Sequence, residues 1–120
     1  MKNLLLTLLL ISPASFADWG DVYYCQMTNY VAVSLDGEKT NYKRETFKLK
    51  LDKDKNAMVF AGSHYFSGTV IPIVIDSSSF ETWVSQSEYN RASIRKGKFL
   101  FTANHYTIGV TVISADCDKF

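Results

Sequence analysis

The sequence predicts a single all-β domain: a small antiparallel β-barrel or sandwich of about seven or eight short strands, with one short helix or ordered loop. Three observations carry this. Apolar and polar residues alternate over much of the chain after residue 22, the signature of strands buried on one face. Turn residues recur between these stretches, at Asp36-Gly37, in the run 52–56, at Gly62 and Gly68, and at Lys96-Gly97; they punctuate the chain at hairpin spacing. Finally, Cys25 and Cys117 stand near opposite ends of the chain, as the halves of one stapling disulfide would in a small exported domain.

The first residues read as a secretory signal peptide. Lys2 supplies the positive start, 4–11 is an apolar core, and Ser15-Phe16-Ala17 places small residues at the cleavage-determining positions. The apolar run is about half the roughly 20 residues of a membrane-spanning helix. Cleavage after Ala17 leaves 103 of the 120 residues as one β domain, 18–120. It removes Lys2 and no acid, so 12 basic residues face 12 acidic ones. A balanced chain lacks the cationic footprint of a nucleic-acid or anionic-membrane binder, and no second long apolar run predicts a membrane span. The expected location is periplasmic or secreted.

From Tyr23, the odd positions Tyr23, Cys25, Met27, Val31, Val33 and Leu35 are largely apolar and the even ones largely polar, which predicts a first strand with one buried face. Tyr24 and Tyr30 fall on the outer side. The next strand directs Phe47, Leu49 and Leu51 inward and Lys48 and Lys50 outward. After a charged tip at 52–56, Ala57-Met-Val-Phe-Ala61 returns. The run 69–75, Thr-Val-Ile-Pro-Ile-Val-Ile, is continuously apolar, as a doubly buried strand would be, and Pro72 places it at an edge or a bulge. In 76–91, Ser78 and Glu81 fit a capping box, and Phe80, Trp83 and Val84 share one helical face, so a short helix or ordered loop is expected over the sheet. A hairpin turning at Lys96-Gly97 follows. The last strand has Ile108, Val110 and Val112 on one face, and Cys117 has the opposite parity, which calls for a bulge or face switch near Ile113. If the first and last strands are neighbours, a Cys25–Cys117 bridge closes the barrel.

No catalytic signature is present: neither H-E-x-x-H, nor G-x-S-x-G, nor a nucleotide-binding glycine loop. Two lone histidines, His64 and His105, and two cysteines expected to be oxidised do not make up a zinc ligand set. No enzyme activity, metal or cofactor is therefore expected. The binding candidates are Trp83, Tyr89 and Arg91 in the 76–91 connection, residue types typical of interface hot spots, together with His64 and Tyr65. The ending in Phe120 invites comparison with outer-membrane barrels, but Ser114, Asp116 and Asp118 occupy positions that should be apolar.

The segments "ADWGDVYYCQMT", "FKLKLDKDKNAMVF", "GKFLF" and "ISADCDKF" resemble a group of small exported proteins from marine bacterial and phage sequence sets, a resemblance that brings no activity with it. More loosely, "VYYC" and "ADC" look like the early strand and late cysteine of C-type lysozyme inhibitors, which are small exported β-barrels. The Ser-Gly-x-x-Ala-Arg-Tyr-type inhibitory loop of that family is not present here, so no inhibitory residue is carried across. The functional expectation is a non-catalytic module that binds a protein or envelope component. The alternatives are a small-ligand carrier with a barrel cavity and a lysozyme-inhibitor-like protein.

Overall fold

In the computed structural model, which describes residues 18–120, the strands form one antiparallel sheet that closes on itself. The leader assigned to residues 1–17 lies outside the described residues. In chain order the strands are β1 (Val22–Ser34), β2 (Lys39–Asn41), β3 (Thr46–Asp52), β4 (Ala57–Ala61), β5 (Val70–Ser77), β6 (Thr82–Gln86), β7 (Asn90–Arg95), β8 (Lys98–His105) and β9 (Gly109–Lys119). From β3 to β9 each strand pairs with the next, and β1 pairs with both β3 and β9. The result is a closed eight-stranded barrel with β2 as an extra strand. β2 and β3 run one after the other down the same flank of β1, opposite 31–33 and 22–26 respectively.

Period-two alternation explains the filling of this barrel. Phe47, Leu49 and Leu51 of β3, Met58 and Phe60 of β4, and Phe99 and Phe101 of β8 all point inward and are buried. The β4–β5 connection folds over one end and inserts Phe66, which is fully buried. Phe66 lies 4.7 Å from the Phe47 ring, 4.7 Å from Phe60 and 5.0 Å from Phe101, so five phenylalanines form one packed interior cluster. Such offset and edge-on ring pairs add about 0.5–1.5 kcal/mol each beyond the area they bury. Ser85, the buried polar residue of the interior, donates its hydroxyl to Met58 Sδ at 3.3 Å.

Cys25 and Cys117 stand directly opposite each other on β1 and β9 and are disulfide-bonded, with Cα atoms 4.0 Å apart. The face switch expected near Ile113 does not occur. β9 keeps a single phase, with Ile113, Ala115 and Cys117 inward and Val110 and Val112 outward. The irregularity lies in β1 instead, where Thr28 is an extra residue between the Met27–Ala115 and Asn29–Ser114 pairs. The bulge is held by Ser114 Oγ, 2.7 Å from Thr28 Oγ1 and 2.9 Å from Asn29 Nδ2. It reverses the faces beyond it: Val33 turns outward, the exposed Leu35 follows the strand, and Tyr30, expected outside, packs against the core. Above the bulge β1 and β9 approach so closely that a Cβ on Gly109 would lie 2.1 Å from the Val33 carbonyl oxygen, so only glycine fits there.

Two further expectations are corrected. The 69–75 run is not doubly buried: Ile71 and Ile73 point inward while Val70, Pro72 and Val74 are exposed. Barrel closure leaves β5 no edge; Pro72 sits where the β4 pairing ends, two residues before a bulge at Val74. Nor is 76–91 a helix or a long loop. A 3-10 turn at Ser78–Phe80 leads directly into β6, which pairs with both β5 and β7. Local capping propensity is overridden because the barrel closes only if this segment is extended.

The disulfide spans a sequence separation of 92 residues, for which loop entropy predicts stabilisation of about 4.5 kcal/mol. The Cys25→Ser/Cys117→Ser double variant is therefore expected to unfold at markedly lower denaturant than the oxidised protein. Coincident urea transitions for the two would show that the bridge does not support the seam.

Candidate functional site

Strand direction gathers one class of side chain at one end of the barrel. The connections β1–β2, β4–β5, β6–β7 and β8–β9 lie at this end, while β3–β4, β5–β6 and β7–β8 lie at the other. Of the seven tyrosines in the sequence, five (Tyr30, Tyr42, Tyr65, Tyr89 and Tyr106) lie in the half of the barrel that bears the β1–β2, β4–β5, β6–β7 and β8–β9 connections, and so do both histidines. The opposite end carries the charged 53–56 tip, the 3-10 turn and the Lys96-Gly97 turn.

The aromatic residues form two groups. In the first, Tyr30 meets Tyr42 at 4.9 Å and Tyr65 at 5.4 Å between ring centroids. Tyr65 packs edge-on against Phe66 and Phe101, and its backbone N–H donates to Glu45 Oε1 at 3.2 Å. Burial pushes the Tyr30 hydroxyl up to about 12, helped by neighbouring Tyr65, Glu45 and Tyr42. Burial also raises Tyr65, against the opposing effect of its hydrogen bond with Thr111. Both hydroxyls therefore stay neutral at any physiological pH and act as hydrogen-bonding groups, not as bases.

The second group is Tyr89, His105 and Tyr106. Tyr89 lies 4.6 Å from the His105 ring, and the His105 and Tyr106 rings, 5.5 Å apart, are parallel to within 7°. Thr107 contacts His105 Nδ1 through its hydroxyl at 2.7 Å and donates its backbone N–H at 3.4 Å. Both contacts join the His105 ring to the residue two positions on within the hairpin tip.

Of the residues singled out in the sequence, His64, Tyr65, Tyr89 and Arg91 all come to this end, although they are not one contiguous cluster. His64 is exposed on the β4–β5 connection and lines an open groove of about 380 Å³ with Gly62, Ser63 and Ser67. Arg91, at the start of β7, reaches Gln86 Oε1 at 2.5 Å. Trp83 is not part of any surface. It is 1% exposed, points into the barrel and meets Trp19 edge-on at 4.9 Å, so no partner can reach it. Its Nε1 is buried without a hydrogen-bond partner. The sequence singles out His105 only as one of two lone histidines and passes over Tyr106, although "HYT" flanked by strand patterns on both sides is a signal for both.

A second groove, of about 350 Å³, lies on the outer wall beside Tyr24, Gln26, Thr46, Lys48, Gly62 and Asp118. Here Lys48 Nζ sits 5.3 Å from the Tyr24 ring centroid, and Phe120 packs edge-on against Tyr24. Among the described residues no three His, Cys, Asp or Glu side chains form a group that could hold a metal ion, and no helix is long and apolar enough to cross a membrane. Compared with known protein families, curated proteins and solved structures, the chain matches none.

Two predictions follow from the placement of these rings. Trp83→Ala is expected to cost about 3–5 kcal/mol of stability, measured by chemical denaturation; an unchanged midpoint would contradict its burial. The raised hydroxyls of Tyr30 and Tyr23, both near 12, give a sign for alkaline pH. The unfolded tyrosines ionise near 10 and the folded ones higher, so their stabilisation is complete below pH 10 and is lost as pH rises from 10 to 12. Tyr30→Phe is expected to flatten this loss in urea titrations across that window; an unaltered slope would show that Tyr30 ionises as freely in the fold as out of it.

Proposed function

We propose that the protein is a non-catalytic, exported binding module for a protein or envelope component, and that its recognition surface is the tyrosine- and histidine-bearing end of the barrel. The observation that carries this reading is the gathering of both histidines and five of seven tyrosines at one end. Tyrosine offers large, rigid contact area with a polar tip and little rotamer entropy to lose, which is why binding loops use it with serine and glycine. The β4–β5 connection "GSHYFSG" has that composition, and it is mounted on a closed, disulfide-tied scaffold, the usual arrangement of recognition loops.

The periplasm and the external medium are both oxidising, and the Cys25–Cys117 bridge fits either. The carrier alternative needs a hollow interior, whereas the phenylalanine cluster and Phe66 occupy that space. The grooves described among residues 18–120 open outward. The outer wall carries Lys48, Lys50, Arg91, Arg95, Lys98, Asp116 and Asp118 together with exposed Val70, Val74, Leu100, Val110 and Val112, a mixed surface and not the wholly apolar band of a transmembrane barrel.

The test is capture from an envelope extract with immobilised protein. Tyr89→Ala and Tyr106→Ala are expected to reduce recovery of the captured component by about tenfold or more, the scale of losing one hot-spot side chain, without moving the thermal midpoint. Phe80→Ala, at the opposite end and 68% exposed, is expected to capture like the unmodified protein. Equal capture by all three variants would refute the assignment of this end.

A further inference from the structure

We infer that removal of the leader after Ala17 completes a latch at the base of the barrel: the α-ammonium group it creates on Asp18 pairs with the Asp21 carboxylate and pins the turn that carries Trp19. The latch depends on cleavage at that bond. It is independent of the recognition surface, which lies at the opposite end.

Asp18-Trp19-Gly20-Asp21 is a tight turn that leads into β1. The Asp21 N–H donates to the Asp18 carbonyl at 3.1 Å. Gly20 has a φ of +91°, the left-handed conformation that a type II turn asks of its third residue. Two backbone bonds tie the turn to β3: the Gly20 N–H donates to the Leu51 carbonyl at 2.6 Å, and the Leu51 N–H to the Asp21 carbonyl at 3.0 Å. Trp19, displayed by this turn, packs against the core and meets Trp83 edge-on at 4.9 Å. The first described residues therefore cover the end of the barrel opposite the tyrosines.

Within the turn the Asp18 nitrogen donates to Asp21 Oδ2 at 2.8 Å, and the same oxygen lies 3.4 Å from Lys119 Nζ on β9. In the uncleaved chain that nitrogen is an amide, with one N–H and no charge. Hydrolysis of the Ala17–Asp18 bond by a leader peptidase adds the elements of water: the hydroxyl goes to the Ala17 carbonyl and a hydrogen to the Asp18 nitrogen. The amine so formed takes up a further proton below its ordinary pKa of about 8. A hydrogen bond between neutral N–H and carboxylate becomes one between two ions, which is the stronger kind. Asp21 then serves two cations, one from each end of the chain.

The other charged groups around the turn are the Asp18 carboxylate, which accepts from the Trp19 N–H at 2.7 Å, the Lys50–Asp52 pair that flanks Leu51, and Glu81, which acts with Asp21 on Tyr23. The Asp21 and Lys119 side chains are 25% and 22% exposed, so water screens the pairing in part and its effect is modest. The sign with pH is fixed. The amine gains its partner only in the fold, so its folded pKa lies above its unfolded one. The stabilisation is fully present below the unfolded value of about 8 and is lost as pH rises through the folded value.

The experiment compares two exported chains, the unaltered one and one with a glycine inserted between Ala17 and Asp18, each checked by mass to begin directly after Ala17. The inserted residue moves the amino group away from Asp21 and leaves an amide N–H on Asp18. In urea titrations at pH 6.5 it is expected to lower the folding equilibrium constant about two- to fivefold, the scale of a partly exposed ion pair. Hydrogen exchange at the Gly20 N–H is expected to quicken by a similar factor. The gap is expected to close by about pH 9.5, where the amine is neutral, and to be absent when both chains carry Asp21→Asn. Equal stability of the two chains at pH 6.5 overturns the inference. So does a gap that persists at the higher pH or in the Asp21→Asn pair, because the added residue then acts by bulk and not by charge. An unaltered chain that begins elsewhere than at Asp18 overturns it as well. The amine is also read directly, from the Asp18 Cα signal, without the Asp21 variant. Its pKa is expected to stand about 0.3–0.7 higher in the fold than in urea, the same fold-change expressed as proton binding; coincident values refute the latch.

Discussion

The pairing of β1 with β9 is the constraint on which the rest of the molecule depends. Eight strands make a barrel only when the first and last join, and until then both expose unpaired backbone edges. That pairing runs from Tyr23–Lys119 to Ser34–Gly109, the longest register in the fold and one between strands at opposite ends of the sequence. Contacts so distant in the chain carry a large loop-closure cost. Cys25–Cys117 sits within this seam and limits that cost in the unfolded chain. It is flanked by further ties: the Phe120 N–H donates to the Val22 carbonyl at 2.8 Å, and Lys119 Nζ lies 3.4 Å from Asp21 Oδ2. The ion pair is partly exposed and contributes little by itself; the covalent bond and the backbone ladder dominate.

Closing the seam also dictates the interior. A barrel of eight strands leaves space that side chains can just fill. Here rings fill it, and the β4–β5 connection supplies a plug in Phe66 from outside the strands. The same connection presents His64 to solvent and Tyr65 to Tyr30. One loop thereby joins the packed core to the candidate surface: burying Phe66 fixes the backbone on which its neighbours are displayed. A rigid recognition surface is in this sense a consequence of core packing.

How much of this was legible in the sequence depended on the range of the interaction concerned. The all-β class, the hairpin at Lys96-Gly97, the inward triplet of Phe47, Leu49 and Leu51 and the disulfide were readable, because alternation and turn chemistry are local signals and there were only two cysteines to pair. The bulge at Thr28 was not. It reverses the faces of β1 at a residue with no local mark, and it exists because Ser114, on a strand at the far end of the chain, accommodates the extra residue. The parity of Cys117 reveals that a shift exists but not that it lies in β1: a mismatch between two partners shows that one of them shifts and does not say which. Likewise Ser78, Glu81 and the spacing of Phe80, Trp83 and Val84 satisfy a helical pattern and point to a short helix or ordered loop over 76–91, whereas the need for a strand between β5 and β7 is visible only once the barrel is counted.

The candidate surface shows the same division. Tyr89, Arg91, His64 and Tyr65 are residue types suited to binding, and by type alone so is Trp83. The error has a physical root: a tryptophan contributes equally well to a hot spot and to a core, and the two are separated only by which face of a strand it occupies. Once 82–86 is a strand between two others, Trp83 shares the inward face with Ser85, and the barrel interior claims it. The opposite holds for Tyr106. At a hairpin tip no neighbouring strand can cover it, so its exposure follows from topology. A large aromatic ring held open to water by the geometry of a rigid turn, with a histidine and a second tyrosine aligned behind it, is not needed by the core, which closes without it. That independence from folding makes this end of the barrel the part of the molecule to interrogate for function.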